Sequence, residues 1–396
     1  MRLIVSADTH LGSPIRSAAL RNPALGERLK QASRDTFRGI VDLAIFEQAD
    51  ALVLAGDIFD NDFPDLKSRA FLLTQLTRAG AAGVPTVLIR GNHDALLDHT
   101  AQGDLGPSIH LLHKANPSVE IAGVVFHGLS FDTSHVATSF LPDYPAPVAG
   151  KTNVGLMHTS LGGSPGHDPY APCSEPDLMA HGYDLWCLGH IHSPFERRSE
   201  HVLAVMPGIP QPRHFGERLG GSVAIVPLVQ GAPTLEHRAV GHLRFVEAEL
   251  DLTECEDQSD VLQMIEAALK HAQDPARDTA VRLHVVSDRH TADDLRALAT
   301  ELLESIDRVF LDKVKSSAPQ KTIEGPADDL LRLMRDALPE AGLQQAGTQI
   351  LDDLRSALPA DLRDALPSDD LDALLEDAIN EVTVSLHGSM QGMDAT

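Results

Sequence analysis

Apolar and polar positions follow two different periods along the first 240 residues. Short apolar runs, several of them bounded by glycine, are typical of buried strands: RLIVSA, ALVLAG, TVLIRG, VVFHGL, NVGLMH and DLWCLGH. Residues 33–48 and 66–80, which follow the first two runs, carry apolar residues at the three- and four-residue spacing of helices. This alternation of strands and helices predicts a layered α/β domain over residues 1–240.

The pattern changes after residue 240. A strand at 243–250, a helix at 261–272, a strand at 280–286 and a helix at 292–306 outline a compact α+β domain over residues 241–316. Residues 317–396 then carry short amphipathic segments separated by Pro, Gly and Ser: DDLLRLMRDAL, ILDDLRSAL, ADLRDAL and LDALLEDAI. Helices this short gain most of their stability by packing an apolar face against another surface. The tail therefore packs on its own chain, stays partly disordered, or docks on a partner.

The acidic charge of the chain is unevenly distributed. Its net charge is −25, yet residues 1–240 hold 18 Lys and Arg against 24 Asp and Glu, a net of −6. Residues 241–396 hold the remaining 14 and 33, a net of −19. The overall balance argues against a nucleic-acid partner, because phosphate binding normally needs a basic field. The distribution weakens that argument for the first domain.

Cysteine usage and hydropathy indicate a cytoplasmic protein with no membrane segment. No apolar run approaches the roughly 20 residues that a membrane-spanning helix needs, and the N-terminal MRLIVSADTH lacks the apolar core of a signal peptide. Cys173, Cys187 and Cys255 cannot all pair and form no close-set metal motif. Such thiols fit a reducing cytoplasm.

Polar residues with metal-binding side chains directly follow five of the predicted strands. They are Asp8, His10, Asp57, Asn92, His93, His158, His190 and His192. Ligands bind at the carboxyl ends of strands in open α/β layers, so we expect these residues to converge. Oxygen and imidazole donors without thiolate suit borderline divalent metals. Each short motif alone is weak evidence, but five of them in order favour one metal site.

These motifs run D-x-H, G-D, G-N-H-D, H and G-H-x-H, and they resemble those of calcineurin-like metallophosphoesterases. The resemblance implies a layered β-sandwich flanked by helices, followed by an α+β capping domain and a helical C-terminal tail. It also implies two divalent metal ions bridged by Asp57. One ion is then held by Asp8, His10, Asp57 and His192, and the other by Asp57, Asn92, His158 and His190. His93, which binds neither ion in this scheme, is the expected catalytic acid for the leaving oxygen.

Within this superfamily, DTHLGSP, GDIFDND and GNHD are similar to the DNA-repair exonuclease branch of SbcD nucleases and YhaO-type proteins. The stretches PYAPCSEPDL, GYDLWCLGHIH and MPGIPQPRHFGE agree with the YhaO type. Archaeal and eukaryotic relatives carry a second active-site histidine three positions after the bridging aspartate. This chain has Asp60 there, like the bacterial branch.

The resemblance implies a manganese-dependent DNA exonuclease that works in repair with an SbcC-like coiled-coil ATPase. It further implies a homodimer built by the two helices that follow the first ligand strands, and a C-terminal tail that docks on the ATPase. An alternative is hydrolysis of small phosphodiesters or phosphomonoesters, because related folds share this metal core. A scaffold with a vestigial site is disfavoured, because no ligand position has been lost.

Overall fold

The computed structural model describes residues 1–13, 22–60, 64–97, 105–162, 170–228, 233–319 and 326–357, together with 371, 374–375, 378–380 and 382–383. The chain divides into two compact units. Unit 1 comprises residues 1–14 and 29–243, and unit 2 comprises residues 15–28 and 244–396.

Unit 1 contains all six of the predicted strands within two six-stranded sheets. Its strands are β1 (Arg2–Ser6), β2 (Ala51–Ala55), β3 (Thr86–Ile89), β4 (Ile109–Leu111), β5 (Ser118–Ile121), β6 (Val124–Gly128), β7 (Thr152–His158), β8 (Leu185–Gly189), β9 (Phe195–Arg198), β10 (Leu203–Met206), β11 (Ser222–Pro227) and β12 (Glu236–Ala239). The first sheet has the order β12-β11-β1-β2-β3-β4, and the second has the order β5-β6-β7-β8-β10-β9.

The centre of each sheet is parallel. Antiparallel pairs lie at one edge of the first sheet, where β11 and β12 are, and at both edges of the second, where β5 and β9 are. β1 through β4 pair in parallel, and so do β6, β7, β8 and β10. Alternate residues of both sheets, including Val53 and Val87 of the first and Val154 and Leu156 of the second, share one fully buried core. Parallel strands buried on both faces are expected to be uniformly apolar, as these are. The structure confirms the predicted layered α/β architecture.

Helices cover the outer face of the first sheet. They are α1 (Pro23–Phe46) and α2 (Leu66–Ala81). A short helix, α3 (Glu175–Ala180), connects β7 and β8 of the second sheet along the chain. Phe37 and Ile40 of α1 and Leu72 and Leu76 of α2 pack with the strand residues on this face. The apolar stripes predicted at 33–48 and 66–80 are therefore core contacts.

Helix α1 begins earlier than the apolar pattern predicts. The helix starts at Pro23, and the amide of Leu25 donates to the Asn22 side chain at 3.1 Å. Asparagine is a favoured residue before a helix, and proline is favoured at the first helical position. The Asn-Pro pair therefore marks the start of α1 before its apolar stripe begins.

Unit 2 contains a three-stranded sheet and two helices packed against it. The sheet has the order β13 (Leu243–Asp251), β14 (Asp278–Val286) and β15 (Val309–Ser317), and the helices are α4 (Gln258–Ala272) and α5 (Ala292–Leu303). Their apolar faces form a separate core around Ile265, Leu283 and Leu295. The predicted strands and helices of the α+β domain are confirmed, apart from small differences at their ends.

Strand β15 is a strand that the sequence pattern does not predict. It pairs in parallel with β14, but the register shifts so that Val281 faces Leu311 and Arg282 faces Lys313. Asp312 is therefore an extra residue, which moves the following side chains to the opposite face. This bulge breaks the two-residue alternation by which strands are recognised.

Two of the predicted tail segments lie on described helices, α6 (Pro326–Ala337) and α7 (Ala341–Ala357). The segment at 360–366 and residue Leu358 lie outside the described residues. Of the segment at 371–379 the structure describes residues 371, 374–375 and 378–379, which are helical. Leu331 is buried, whereas Leu333 is 65% exposed. In the described part of the chain, none of the helices combines the length and apolar character needed to cross a bilayer.

Candidate metal centre

The loops after the ligand strands are bonded to one another through their backbones. The amide of Asp8 donates to the carbonyl of Gly56 at 3.1 Å, and that of His10 donates to the carbonyl of Asp57 at 3.1 Å. These bonds join the loop after β1 to the loop after β2. The structure thereby places the first and second predicted motifs side by side.

Four of the predicted ligands have unusual backbone angles. The φ values are +52° at Asp8, +41° at His10, +48° at Asp57 and +101° at His190. Residues other than glycine rarely adopt positive φ, because the side chain then crowds the backbone. Such strain persists where the surrounding structure enforces it, and it concentrates at functional sites.

One group of donors forms around His10 and His192. Their Nε2 atoms lie 3.1 Å apart. The Nδ1 of His192 lies 2.7 Å from Glu217 Oε1 as a hydrogen bond, and the Nδ1 of His10 lies 2.9 Å from Asp60 Oδ1 as an ion-pair contact without good hydrogen-bond alignment. With a proton on each Nδ1, the two Nε2 lone pairs face each other. A cation or a proton between them removes that repulsion.

A second group of donors forms around His158. Its Nε2 lies 3.0 Å from Asn92 Oδ1 and 3.2 Å from Asp57 Oδ2. Its Nδ1 faces the carbonyl of Ala55 at 3.0 Å, which leaves Nε2 free to bind a metal. The Nδ1 of His190 lies 3.3 Å from the same Asn92 oxygen. Asn92, His158 and His190 thus converge.

Asp57 lies between the two groups. Its Oδ2 is 3.2 Å from His158 Nε2 and 3.9 Å from His10 Nε2. Its Oδ1 accepts a hydrogen bond from the amide of His93 at 3.0 Å. Asp8 also lies near both groups, since its oxygens fall within 4.8 Å of donors from His10 and His192 and of donors from Asp57 and His158. A carboxylate in the position of Asp57 can reach both groups at once.

Two glycines make room for this packing. A Cβ added at Gly91 would lie 2.1 Å from Asp57 Oδ1, and one added at Gly189 would lie 2.1 Å from the carbonyl of Ala55. Real Cβ atoms do not approach other atoms so closely, so neither position accepts a side chain without displacing the site. This accounts for glycine in G-N-H-D and before the first histidine of G-H-I-H.

Burial and neighbouring charges shift the pKa values of the donors. Burial opposes ionisation of Asp57, but the adjacent His158 lowers the pKa of this carboxyl below its usual range. Burial also disfavours protonated His158, yet Asp57 beside it raises the pKa of that imidazole to about 9. Burial, followed by the charge of His158, lowers the pKa of His190 to about 3. Asp57 and His158 therefore form a buried ion pair.

His93 lies at the solvent-facing side of the donors. Its ring is 5.0 Å from that of His10, and its side chain is 44% exposed. The Nδ1 of His93 lies 3.1 Å from the carbonyl of Asp60. All eight residues singled out in the sequence are thus brought together in unit 1.

Four polar residues beside the donors were not predicted to have a role in the site: Asp60, Asp94, Arg213 and Glu217. Asp94 is fully buried and accepts hydrogen bonds from the amides of Gly91 at 2.8 Å and Ile58 at 2.9 Å. Burial and the nearby charge of Asp57 raise its pKa to about 7. Asp94 thus fastens the loops after β2 and β3 together. Its position as the last residue of the G-N-H-D motif was the feature of the sequence that could have indicated this role.

The oxygen and imidazole donors fit two divalent ions in their chemistry, because both groups present convergent lone pairs in a buried setting. Among the residues that the structure describes, three sets of histidine and carboxylate donor atoms lie within 4.8 Å of one another: Asp8, His10 and His192; Asp8, Asp57 and His158; and His10, Asp60 and His93. The third set shares His10 with the first. Its Asp60 forms an ion pair with Arg213, at 2.8 Å.

Residues 1–194 match the calcineurin-like phosphoesterase family. The chain is similar to the uncharacterized metallophosphoesterase YhaO of Bacillus subtilis, with 28% identity over 72% of this chain and 71% of that protein.

Similarity extends over a shorter length to a DNA repair protein and to a nuclease subunit. The DNA double-strand break repair protein Mre11 of Methanopyrus kandleri is 27% identical over 55% of this chain and 50% of that protein. The SbcD component of the nuclease SbcCD from Staphylococcus saprophyticus is 22% identical over 51% of this chain and 59% of that protein. The chain therefore spans only about half to three fifths of these two relatives.

Proposed function

Because residues 1–194 form a calcineurin-like phosphoesterase domain, we propose that this chain is a two-metal phosphodiesterase that hydrolyses DNA, with manganese as its metal. The observation that carries the proposal is the convergence of the donors around Asp57, whose Oδ2 lies 3.2 Å from His158 and 3.9 Å from His10. The similarity to Mre11 and to SbcD supports DNA as the substrate class.

The proposed ligands divide between the two donor groups. Asp8, His10 and His192 would hold one ion, and Asn92, His158 and His190 would hold the other, with Asp57 between them. Bound divalent ions supply Lewis acidity, which activates water and offsets the negative charge of a phosphate. Asp94 keeps the loops that carry Asp57 and Asn92 in register.

His93 is the proposed catalytic acid. Because its Nδ1 faces the carbonyl of Asp60 at 3.1 Å, its Nε2 is the nitrogen that can present a proton to a leaving oxygen. Its 44% exposure leaves the ring accessible to a substrate that approaches from solvent. The backbone amide of His93 meanwhile holds Asp57 Oδ1, so the same loop positions the acid and the bridging carboxylate.

The acidic charge of the chain supports a partner that supplies positive surface. Residues 1–240 have a net charge of −6, whereas duplex DNA requires compensating charge along its length. The proposed partner is an SbcC-like coiled-coil ATPase, which would bind the acidic tail of this chain. The proposed location is the cytoplasm. This assignment uses the three domains proposed from the sequence: residues 1–240 carry the metal site, residues 241–316 form the capping domain, and residues 317–396 form the tail.

A homodimer through α1 and α2 is part of the proposal. Their apolar stripes pack on the first sheet, and this packing accounts for the helical periodicity without a partner. Phe46 at the end of α1 and Leu66 at the start of α2 are each 82% exposed, and they are the apolar contacts these helices offer to a second copy.

Activity assays with matched substrates test the proposal. Purified full-length chain is incubated with manganese on linear single-stranded and double-stranded DNA, a cyclic nucleotide and a generic phosphodiester. We expect manganese-dependent shortening of DNA that chelator abolishes. Hydrolysis of the small substrates alone would move the function to the small-phosphodiester alternative. Absence of hydrolysis of every substrate would refute the proposed phosphodiesterase function.

A further inference from the structure

An ionic chain of partly buried side chains lies behind the donors His10 and His192. Arg213 is its centre: Nη1 lies 2.8 Å from Asp60 Oδ1, and Nη2 lies 2.8 Å from Glu217 Oε1. The side chains of Asp60, Arg213 and Glu217 are 17%, 20% and 4% exposed. A guanidinium offers several donors in a fixed plane, so one arginine can bind two carboxylates at once.

Each of these carboxylates contacts the Nδ1 of one proposed ligand. Asp60 Oδ1 lies 2.9 Å from His10 Nδ1, and Glu217 Oε1 lies 2.7 Å from His192 Nδ1. The Nε2 atoms of the same two rings face each other at 3.1 Å. Arg213 thus connects, from behind, the two imidazoles that would share one ion.

The segment that supplies Arg213 and Glu217 also holds the backbone of His192. The amide of Ile209 donates to the carbonyl of His192 at 2.9 Å. Gly208 has a φ of +75°, and a Cβ there would lie 2.5 Å from that carbonyl oxygen. The ring and the backbone of His192 are therefore fixed by the same short stretch of chain.

The second donor group is supported in a different way. The Nδ1 of His158 faces a backbone carbonyl, that of Ala55, at 3.0 Å. A carbonyl fixes the tautomer as a carboxylate does, but it carries no charge. The two donor groups therefore differ in what lies behind their imidazoles.

We propose that Asp60, Arg213 and Glu217 act as one positioning unit that selectively strengthens the metal site of Asp8, His10 and His192. This rests on the proposed two-metal function. A carboxylate behind a ligating imidazole fixes its tautomer and orientation and makes it a stronger donor. The ion pairs with Arg213 offset the cost of withdrawing the two carboxylates from water. The site containing His158 does not depend on this unit.

The main test measures manganese binding by the full chain. Electron paramagnetic resonance of free Mn²⁺ gives two dissociation constants, and the spin-coupled signal of a metal pair reports double occupancy. We expect Glu217→Gln to weaken one site by about 10–100-fold, the usual effect of losing such a partner, and to leave the other within about threefold. Glu175→Gln is the matched control, since Glu175 forms an exposed ion pair with Arg197.

A double-mutant cycle tests whether the three residues act as a unit. If Arg213 couples the two carboxylates, the double variant Asp60→Asn/Glu217→Gln should lose clearly less manganese affinity than the product of the two separate fold-losses. Arg213→Lys should weaken the same site, because a single ammonium cannot hold both carboxylates in the guanidinium geometry. Full affinity in Arg213→Lys would show that charge alone suffices and would overturn the positioning role.

An Asn92→Ala background assigns the affected site. Asn92 belongs to the second donor group, so this variant should retain the site of His10 and His192. Glu217→Gln in this background should then weaken the remaining site by about 10–100-fold. Equal weakening of both sites in the parent chain, or none, overturns the proposal. Two-site manganese binding without DNA hydrolysis would refute the DNA substrate and leave this inference standing, whereas failure to bind two ions would refute both.

Discussion

The carboxylate of Asp57 touches three other parts of the site. Its oxygens contact His158 and the amide of His93, and they approach His10. Burial of a charge is tolerated only when partners compensate it, and the His158 imidazole beside Asp57 does so and lowers the pKa of that carboxyl below its usual range. Divalent ions would take over that compensation and displace the proton from His158.

Asp57→Asn should therefore be the most damaging single change at the site. A neutral amide cannot serve two cations as a carboxylate can, so we expect loss of double occupancy and of activity. Metal analysis of the purified variant, with Asp42→Asn on the surface of α1 as control, measures this. Two tightly bound ions with normal turnover would show that Asp57 is not the bridge.

His93→Ala should separate catalysis from metal binding. Its imidazole lies outside both groups of proposed ligands, so manganese affinity should be nearly unchanged while the rate falls by about 10²–10⁴-fold. Turnover and metal content are measured together, with the exposed His271→Ala on α4 as control. If metal content and turnover fall by the same factor, His93 is a metal ligand.

Single elements of the fold are held at their ends by side-chain contacts to the backbone. Asp274 does this between α4 and β14, where it accepts hydrogen bonds from the amides of Ala276 and Arg277, both at 2.9 Å. Its carboxylate also binds the Arg277 guanidinium at 2.8 Å. Burial opposes ionisation, but the amide of Ala276 and the charge of Arg277 lower the pKa of Asp274 to about 2.

This pKa gives a stability effect with a definite sign. A carboxyl whose pKa is lower in the folded state stabilises the fold above its unfolded value of about 3.9, and that stabilisation disappears as pH falls towards 2. Asp274→Asn should thus lower the urea midpoint relative to wild type at pH 6, and the difference should shrink as pH falls from about 5 to 3. Circular dichroism measures both curves. A difference independent of pH would contradict the ionic role.

The whole molecule combines a mildly acidic part, residues 1–240 with a net charge of −6, with a strongly acidic part, residues 241–396 with a net charge of −19. The site lies in unit 1, and its proposed ligands all precede His201. Strand β15 ends at Ser317, so a truncation at Ala318 leaves the sheet of unit 2 intact. The described tail helices expose Leu330 and Leu333, which suits a segment that docks elsewhere.

Deletion of the chain from Ala318 onward should therefore spare manganese-dependent hydrolysis of a small phosphodiester and abolish association with the proposed partner ATPase. Hydrolysis rate and co-elution with an SbcC-like ATPase are the two measurements. Replacement of Leu330 and Leu333 by serine in the full chain provides a milder variant. If the truncated chain unfolds or loses its metals, the tail is structural.

The proposed homodimer is tested by light scattering at working concentration. We expect the mass of two chains, about twice 42.6 kDa, because symmetric pairs are the commonest oligomers. Phe46→Ser and Leu66→Ser should shift the mass towards one chain, whereas Leu219→Ser, another exposed leucine, should not. A monomeric wild-type chain would count against the dimer.

Much of the architecture could be predicted from the sequence, because buried parallel strands require uninterrupted apolar runs and amphipathic helices require periodic ones. All six predicted strands of unit 1 and the four predicted elements of the α+β domain are present. Strand β15 could not be predicted in this way. The bulge at Asp312 arises from pairing with β14, and sequence periodicity does not contain that partner.

The residues of the candidate site likewise fall into a group that the sequence predicts and a group that it does not. Its donors are recognisable in the sequence because they follow strand ends in fixed short motifs, and the fold brings parallel strand ends to one edge. Asp60, Arg213 and Glu217 stand outside the donor set, and only the folded chain places them behind His10 and His192. Residue type and local spacing thus determined which side chains can bind metal, whereas contacts between distant loops decided which side chains orient them.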